Sequence, residues 1–146
     1  MDSYGSYPPG LAHDFIAQEE GRRLKAYQCS AGVWTIGYGH TKGVKEGDEI
    51  TAAEAELLLT SDIAETQREL EKFINVPVTP GMFVALTSLA FNLGAANVPK
   101  KCPKLMRALN AGDYEAAAKE FLDVTGGGPG LVARRRREYE LFMTGL

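Results

Sequence analysis

The sequence predicts a mainly helical α+β protein, with a small antiparallel β-hairpin lobe and a helical lobe joined by one long helix. Three observations carry this reading. Residues 24–40, LKAYQCSAGVWTIGYGH, hold two short β-prone stretches around a Ser-Ala-Gly turn. From Thr51 to about residue 74 the apolar residues keep a rough helical period, too long a run for one small lobe to enclose. After Thr79 the chain repeats helix starts and stops, with Gly or Pro at the breaks.

Each element has its own local cause. Residues 1–10, MDSYGSYPPG, have neither the basic nor the apolar part of a secretory signal and read as a loose, flexible arm. Residues 11–20 form a helix with Leu11, Phe15 and Ile16 on one face, stopped by Gly21; His13 within it reads as a surface or partly packed histidine. The hairpin lobe extends to about Ile50, its charged loop at 42–48 leading to a third short strand or straight into a helix. Thr51 with Glu54 three residues later makes a capping box. In the helix that follows, Ala53, Leu57, Leu58, Ala64, Leu70, Phe73 and Ile74 read as the inward positions. Asp62, Glu65, Glu69 and Glu71, interleaved with Arg68 and Lys72, read as a solvated face.

Thr79-Pro80 is a second start, a Thr cap with Pro in the first turn. Met82, Phe83, Leu86, Leu89, Ala90 and Leu93 make the most apolar helix of the chain, ended by Gly94. Pro99 and Pro103 bracket a basic loop, and a short helix through Leu105, Met106 and Leu109 ends near Gly112. Asp113 caps another helix, with Tyr114, Ala117, Phe121 and Leu122 inward. Gly126 to Gly130 reads as a flexible loop and Leu131 to about Met143 as the last helix. The expected division is thus an arm at 1–10 and one domain at 11–146, comprising a hairpin lobe at 11–50, a connecting helix at 51–74 and a helical lobe at 79–146.

Composition narrows the function classes. Hydrophobic content of 45% supports a packed core, but no uninterrupted apolar run reaches the roughly eighteen residues of a membrane span, so no stable membrane insertion is expected. A net charge of −3 gives no general attraction to nucleic acid, and the basic clusters at Arg22–Lys25, Lys100–Arg107 and Arg134–Arg137 match no nucleic-acid motif. The last of these reads as a solvated stripe. Cys29 and Cys102, far apart in the chain, make neither a disulfide framework nor a metal pattern, so no metal and no cofactor are expected.

The chemistry concentrates between Glu19 and Thr41. If Gly21 ends the first helix, a returning strand brings Glu20, Cys29 and Thr35 to one opening. A carboxyl at a helix end beside aromatic residues suits a general acid, and a threonine hydroxyl can position water. By residue type alone, Cys29 is open to three roles: base, nucleophile or plain buried thiol.

The window EEGRRLKAYQCSAGVWTIGYGHT resembles the catalytic segment of the phage-type lysozymes, glycoside hydrolase family 24, which includes phage endolysins. That family carries Glu, eight residues, Asp or Cys, five residues, then Thr; here these are Glu20, Cys29 and Thr35. Glu20-Gly21, Arg23-Leu24, Ala26-Tyr27, Gly32 and the unbroken run Val33–Thr41 follow its pattern. Phe83–Leu86 with Ser88, Ala90-Phe91-Asn92 and Gly94 resemble the family's core helix, and Leu109–Tyr114 and Gly130–Val132 with Arg135, Arg136 and Glu138 its C-terminal half.

The resemblance implies a lysozyme-like fold and a muramidase. Such an enzyme cuts the β-1,4 bond between N-acetylmuramic acid and N-acetylglucosamine in bacterial peptidoglycan, with inversion. Glu20 would act as general acid, and Cys29 with Thr35 would hold or activate the water. His40 would line the cleft as a hydrogen-bonded brace or a proton carrier. Asn92 would meet sugar from the opposite lobe or serve as a helix-capping amide, and Tyr38 joins them as a substrate-binding residue. The protein would be a monomer made in the host bacterial cytoplasm, acting on periplasmic peptidoglycan after release. Two departures stand out: Cys29 sits where many members have Asp, and residues 123–130 are short and lack an aromatic common in relatives. Arg134–Arg137 gain murein binding as a second reading. The competing function is a non-cutting, peptidoglycan-binding or structural lysozyme-like domain of a phage tail or secretion system.

Overall fold

The computed structural model describes residues 1–124, 126 and 128–146. Thr125 and Gly127, part of the expected Gly-rich loop and of the short 123–130 segment, lie outside the described residues.

Helix α1 (His13–Glu20) follows a 3-10 turn at Pro9–Ala12 and stops at Gly21, whose φ of 71° favours glycine. Ile16 of the helix and Ala12 of the turn are buried; Leu11, expected inward, is exposed. Strands β2 (Arg23–Gln28) and β3 (Trp34–Gly37) pair antiparallel, with Tyr27 opposite Thr35 and a register shift between Arg23 and Tyr27. The connecting turn is closed by Gly32 N–H donating to Cys29 O (2.8 Å) and Cys29 N–H to Val33 O (3.0 Å). Both readings of the loop before Thr51 have substance. Glu49 makes a single bridge to Lys25, and the chain then enters the helix directly.

The Thr51–Glu54 capping box opens α2 (Ala52–Glu71). Its inward face is only partly the expected one: Leu70 is buried as expected, but the others buried with it are Ala55, Leu59, Ile63 and Gln67, whereas Leu57 and Phe73 are exposed. Helix α3 (Pro80–Leu93) begins at Thr79, whose hydroxyl accepts from Met82 N–H at 3.1 Å, and buries every residue from Met82 to Ala90. A helix covered on all sides is the centre of its lobe.

The segment expected as a basic loop forms the short α4 (Val98–Lys101), with Pro99 in its first turn where a missing N–H costs nothing. Helices α5 (Pro103–Asn110) and α6 (Tyr114–Phe121) follow; Asp113 caps the latter through Ala116 N–H. Helix α7 (Pro129–Met143) lies along α3, and a side chain at Gly81 would collide with the Leu141 carbonyl oxygen, so glycine sets that approach.

Two expectations are corrected. Residues 1–10 are not a loose arm. Strand β1 (Asp2–Ser3) pairs with β4 (Pro77–Val78), Tyr4 is 2% exposed, and both Tyr4 and Tyr7 stack on Phe83 at 5.1 Å. Gln67 of α2 donates to the Tyr7 carbonyl at 2.8 Å, so the backbone of the arm is paired as well as its side chains. Nor is Arg134–Arg137 a solvated stripe. Arg134 and Arg135 are buried, only Arg136 and Arg137 are exposed, and the buried pair cannot serve as a murein-binding surface.

Candidate active site

Glu20 is the last residue of α1, so its side chain leaves the helix where the chain turns into the hairpin. Arg134 Nη1 donates to its Oε2 at 2.6 Å, with the arginine 6% and the carboxylate 18% exposed. From the other side the hairpin closes on it. Ile36 and His40 exchange two backbone hydrogen bonds, of 2.8 and 2.9 Å, making a tight turn over Gly37, Tyr38 and Gly39. A Cβ on Gly39 would sit 3.0 Å from Glu20 Oε1 and 3.9 Å from Phe91 of α3, and Gly39 has φ 78°. Glycine is thus required there on two grounds, space and backbone conformation.

Cys29 and Thr35 come together across the hairpin. Thr35 is buried and its hydroxyl donates to Val33 O at 3.0 Å. Cys29 is a half-buried free thiol. The Val33 N–H holds its pKa below the ordinary thiol value, assisted by the Ala31 N–H. Hydrogen bonds to the sulfur favour the thiolate, so the turn supplies what Arg23 and Lys25 do not. Arg23 lies over the Tyr27 ring at 4.3 Å, and Lys25 is paired with Glu49 at 3.8 Å.

His40 is a brace. Its Nδ1 meets Asp62 Oδ2 at 2.7 Å and its Nε2 meets the Lys42 carbonyl at 3.0 Å, which leaves neither nitrogen free for substrate. It ties the hairpin to α2 beside a cavity of about 230 Å³ whose walls are Gly39–Lys42, Asp62, Glu65 and Phe91. Tyr38 is corrected. It is 9% exposed and its hydroxyl donates to Glu56 at 2.7 Å, which also pairs with His13 at 2.6 Å, so it serves the junction of α1, α2 and the hairpin rather than an opening. Asn92 is half-buried and its Oδ1 accepts from Arg135. Among the described residues it caps no helix end; the carbonyl at the end of α3, that of Leu93, is taken by Asn97 at 2.9 Å.

A separate cavity of about 310 Å³ beside Cys102 contains none of these residues. Burial pushes the Cys102 thiol up, the opposite of Cys29.

Sequence reasoning named Arg134, Arg135, Glu138, Ser88 and Asp62 but gave none of them a place in the hydrogen-bond network of the site. A signal for four of them was present. Ser88 and Asn92 are one turn apart on a mostly apolar helix, and buried polar groups require partners. Arg134, Arg135 and Glu138, at spacings of four and three, supply them.

Residues 17–138 match the phage lysozyme family. The chain belongs to the phage lysozyme family. It is a glycoside hydrolase of peptidoglycan with a lysozyme-like fold. It is 44% identical to an endolysin of Acyrthosiphon pisum secondary endosymbiont phage 1 over 135 residues, 87% of this chain and 91% of the relative. Among solved structures it resembles a P22 lysozyme mutant, with a TM-score of 0.78 and 36% identity, covering 91% of this chain and 95% of the other. It also resembles the muramidase domain of SpmX from Asticaccaulis excentricus, with a TM-score of 0.82, 32% identity and the same two coverages.

Proposed function

We propose that this phage lysozyme is an inverting endolysin-type muramidase that cuts the β-1,4 bond between N-acetylmuramic acid and N-acetylglucosamine. The observation that carries the reading is the setting of Glu20, a carboxyl fixed at a helix end between a buried guanidinium and a glycine that leaves it room. Glu20 in its protonated form gives the proton to the glycosidic oxygen as the C1–O bond breaks. A water beside Cys29 and Thr35 attacks C1 from the opposite face, and its proton passes to the Cys29 thiolate. The ion pair with Arg134 then holds the Glu20 carboxylate that remains. Solvent returns a proton to Glu20 and takes one from Cys29, which closes the cycle.

Asn92 keeps its amide N–H groups for sugar, because its oxygen is spent on Arg135. His40 holds the hairpin in place. The protein works as a monomer. It is made in the host bacterial cytoplasm and reaches periplasmic peptidoglycan after release, a reading supported by its similarity to a protein named an endolysin.

The test is lysis of chloroform-treated Gram-negative cells by wild type, Glu20→Gln and Cys29→Ser, with reducing-end analysis of released muropeptides. Wild type is expected to lyse and to create new muramic reducing ends. Glu20→Gln loses at least about a hundredfold, the scale of a general acid's contribution. One observation favours a second reading, the thiol at position 29 in place of a carboxylate. Absence of lysis by wild type between pH 5 and 9 would move the chain to the non-cutting, peptidoglycan-binding class.

A further inference from the structure

On α3, Ser88 and Asn92 lie one turn apart, facing the buried residues of α7. Glu138 on α7 is 0% exposed and uses both carboxylate oxygens. Its Oε2 accepts from the Ser88 hydroxyl at 2.5 Å and from Arg134 Nε at 3.3 Å, and its Oε1 accepts from Arg135 Nη1. Each arginine continues outward. Arg134 spends Nη2 on the Ser88 carbonyl (3.1 Å) and hydroxyl (3.2 Å) and Nη1 on Glu20. Arg135 spends Nη2 on Asn92 Oδ1. One buried carboxylate therefore fans out, through two guanidiniums, to the general acid on α1 and to the amide on α3.

We propose that Glu138 is the positioning residue of this site, aiming Glu20 through Arg134 and Asn92 through Arg135. It rests on the muramidase reading for the roles of Glu20 and Asn92, and goes beyond it in assigning one residue control of both. Glu138 is fully buried and touches no sugar, so it acts only through its neighbours. It is also the shared counter-charge of the two arginines. Without it Arg134 keeps Glu20 as a counter-charge, but Arg135 has no other carboxylate partner among the described residues and must swing away from the dry interior. Arg135 bears the mark of this arrangement. Its Nε is the single buried side-chain polar atom without a partner among the described residues, so its placement serves its two terminal nitrogens rather than complete pairing.

The geometry makes the two arms unequal, which gives a sharp test. Glu138→Gln keeps the volume and replaces one oxygen by an NH2 group. Oε2 has two donors and Oε1 has one, so the amide oxygen stays toward Ser88 and Arg134. The NH2 then faces Arg135, donor against donor, and releases Asn92. Loss of Asn92 weakens sugar binding while Glu20 stays aimed.

The experiment compares wild type and Glu138→Gln for KM and kcat on purified sacculi. Direct sacculus binding is then measured in a Glu20→Gln background, which reads the Asn92 arm without cleavage. We expect binding about tenfold weaker and KM raised to match, the scale of one hydrogen bond to a charged group, with kcat within about threefold. Asn92→Ala added to Glu138→Gln should weaken binding no further, and the exposed Arg136→Gln should change nothing. Arg135→Met, which removes the same arm and leaves Glu138 paired with Arg134, should repeat the binding loss if Glu138→Gln does not fold. Unchanged binding in a folded Glu138→Gln or Arg135→Met protein overturns the assignment, as does full additivity with Asn92→Ala. Failure of wild type to lyse sinks the muramidase reading instead, and the binding arm still decides the role of Glu138. Failure of wild type to bind sacculi sinks both.

Discussion

A thiol that replaces a carboxylate as base must be ionised when a carboxylate would be, and an ordinary thiol with a pKa near about 8.5 is mostly neutral at pH 7. Cys29 is shifted in the required direction by the Val33 N–H, while Cys102 is shifted the other way by burial. The two thiols therefore act as controls for each other. Alkylation by iodoacetamide needs the thiolate. The rate at Cys29 is expected to rise with pH through a midpoint below that of a free cysteine, and the rate at Cys102 through one above it. Lysis should be lost in step with Cys29. Full lysis with Cys29 blocked, shown by mass spectrometry of the peptide, excludes any chemical role for the thiol. At this scale the sequence was informative where spacing forces an outcome. Glu20 before Gly21 is legible because helix termination leaves few alternatives, whereas the close approach that Gly39 permits is visible only in the fold. Tyr38 was misread because residue type says nothing about which end of a side chain is spent, and its hydroxyl goes to Glu56.

Among elements, the starts of α2, α3 and α6 were legible because caps are local. Thr51, Thr79 and Asp113 all accept the backbone hydrogen bonds that their positions predict. Which face a helix buries depends on a neighbour that local sequence does not contain, and α2 turned a partly different face inward. Arg134 and Arg135 of α7 were misread for the same reason, since their burial takes partners from other elements as well as Glu138 on their own helix. Helix α1 also supplies counter-charges. Arg134 pairs with Glu20, and Arg137 donates to both oxygens of Glu19 at 2.6 and 2.7 Å, which raises the arginine's pKa. The contact of α7 with α3 is what aligns this clamp, and Gly81 sets its distance. Gly81→Ala places a methyl group against the Leu141 carbonyl oxygen, a backbone atom that cannot rotate aside. The helices must part by a fraction of an ångström, at a cost of about 1–3 kcal/mol, the range for overpacking. Urea denaturation checks the cost, and unchanged stability would mean that α3 and α7 are not in contact at Gly81. A displaced α7 also carries Arg134 with it, so lysis should fall further than the folded fraction does.

For the whole molecule, the largest surprise is that its first residues are core. MDSYGSYPPG looks polar, yet its two tyrosines bury rings against Phe83 and use their hydroxyls on distant partners, Thr87 at 2.6 Å and Val78 O at 2.6 Å. Residue types of mixed character were counted as loop because their apolar rings show no period over so short a stretch. The segment joins parts of the fold that are far apart in sequence. Its strand pairs with β4, Gln67 of α2 holds its backbone, and Tyr4 fills the space beside α3. Thr87 donates its own proton to Phe83 O at 2.7 Å, so Tyr4 is the donor in the Tyr4–Thr87 pair, and burial pushes its hydroxyl pKa up. Tyr4→Phe then removes one donor and leaves Thr87 paired, for about 0.5–1.5 kcal/mol. Tyr4→Ala removes the ring as well and opens a cavity beside Phe83, for about 3–5 kcal/mol. A domain of this size has only about 5–15 kcal/mol in total, so the second substitution should lower the urea midpoint steeply and the first only slightly. Equal, small effects from both would return the segment to the status of a loose arm. A large effect from Tyr4→Ala, with the catalytic parameters of the remaining folded enzyme unchanged, would make the first ten residues a structural part of the helical lobe that the active site does not sense.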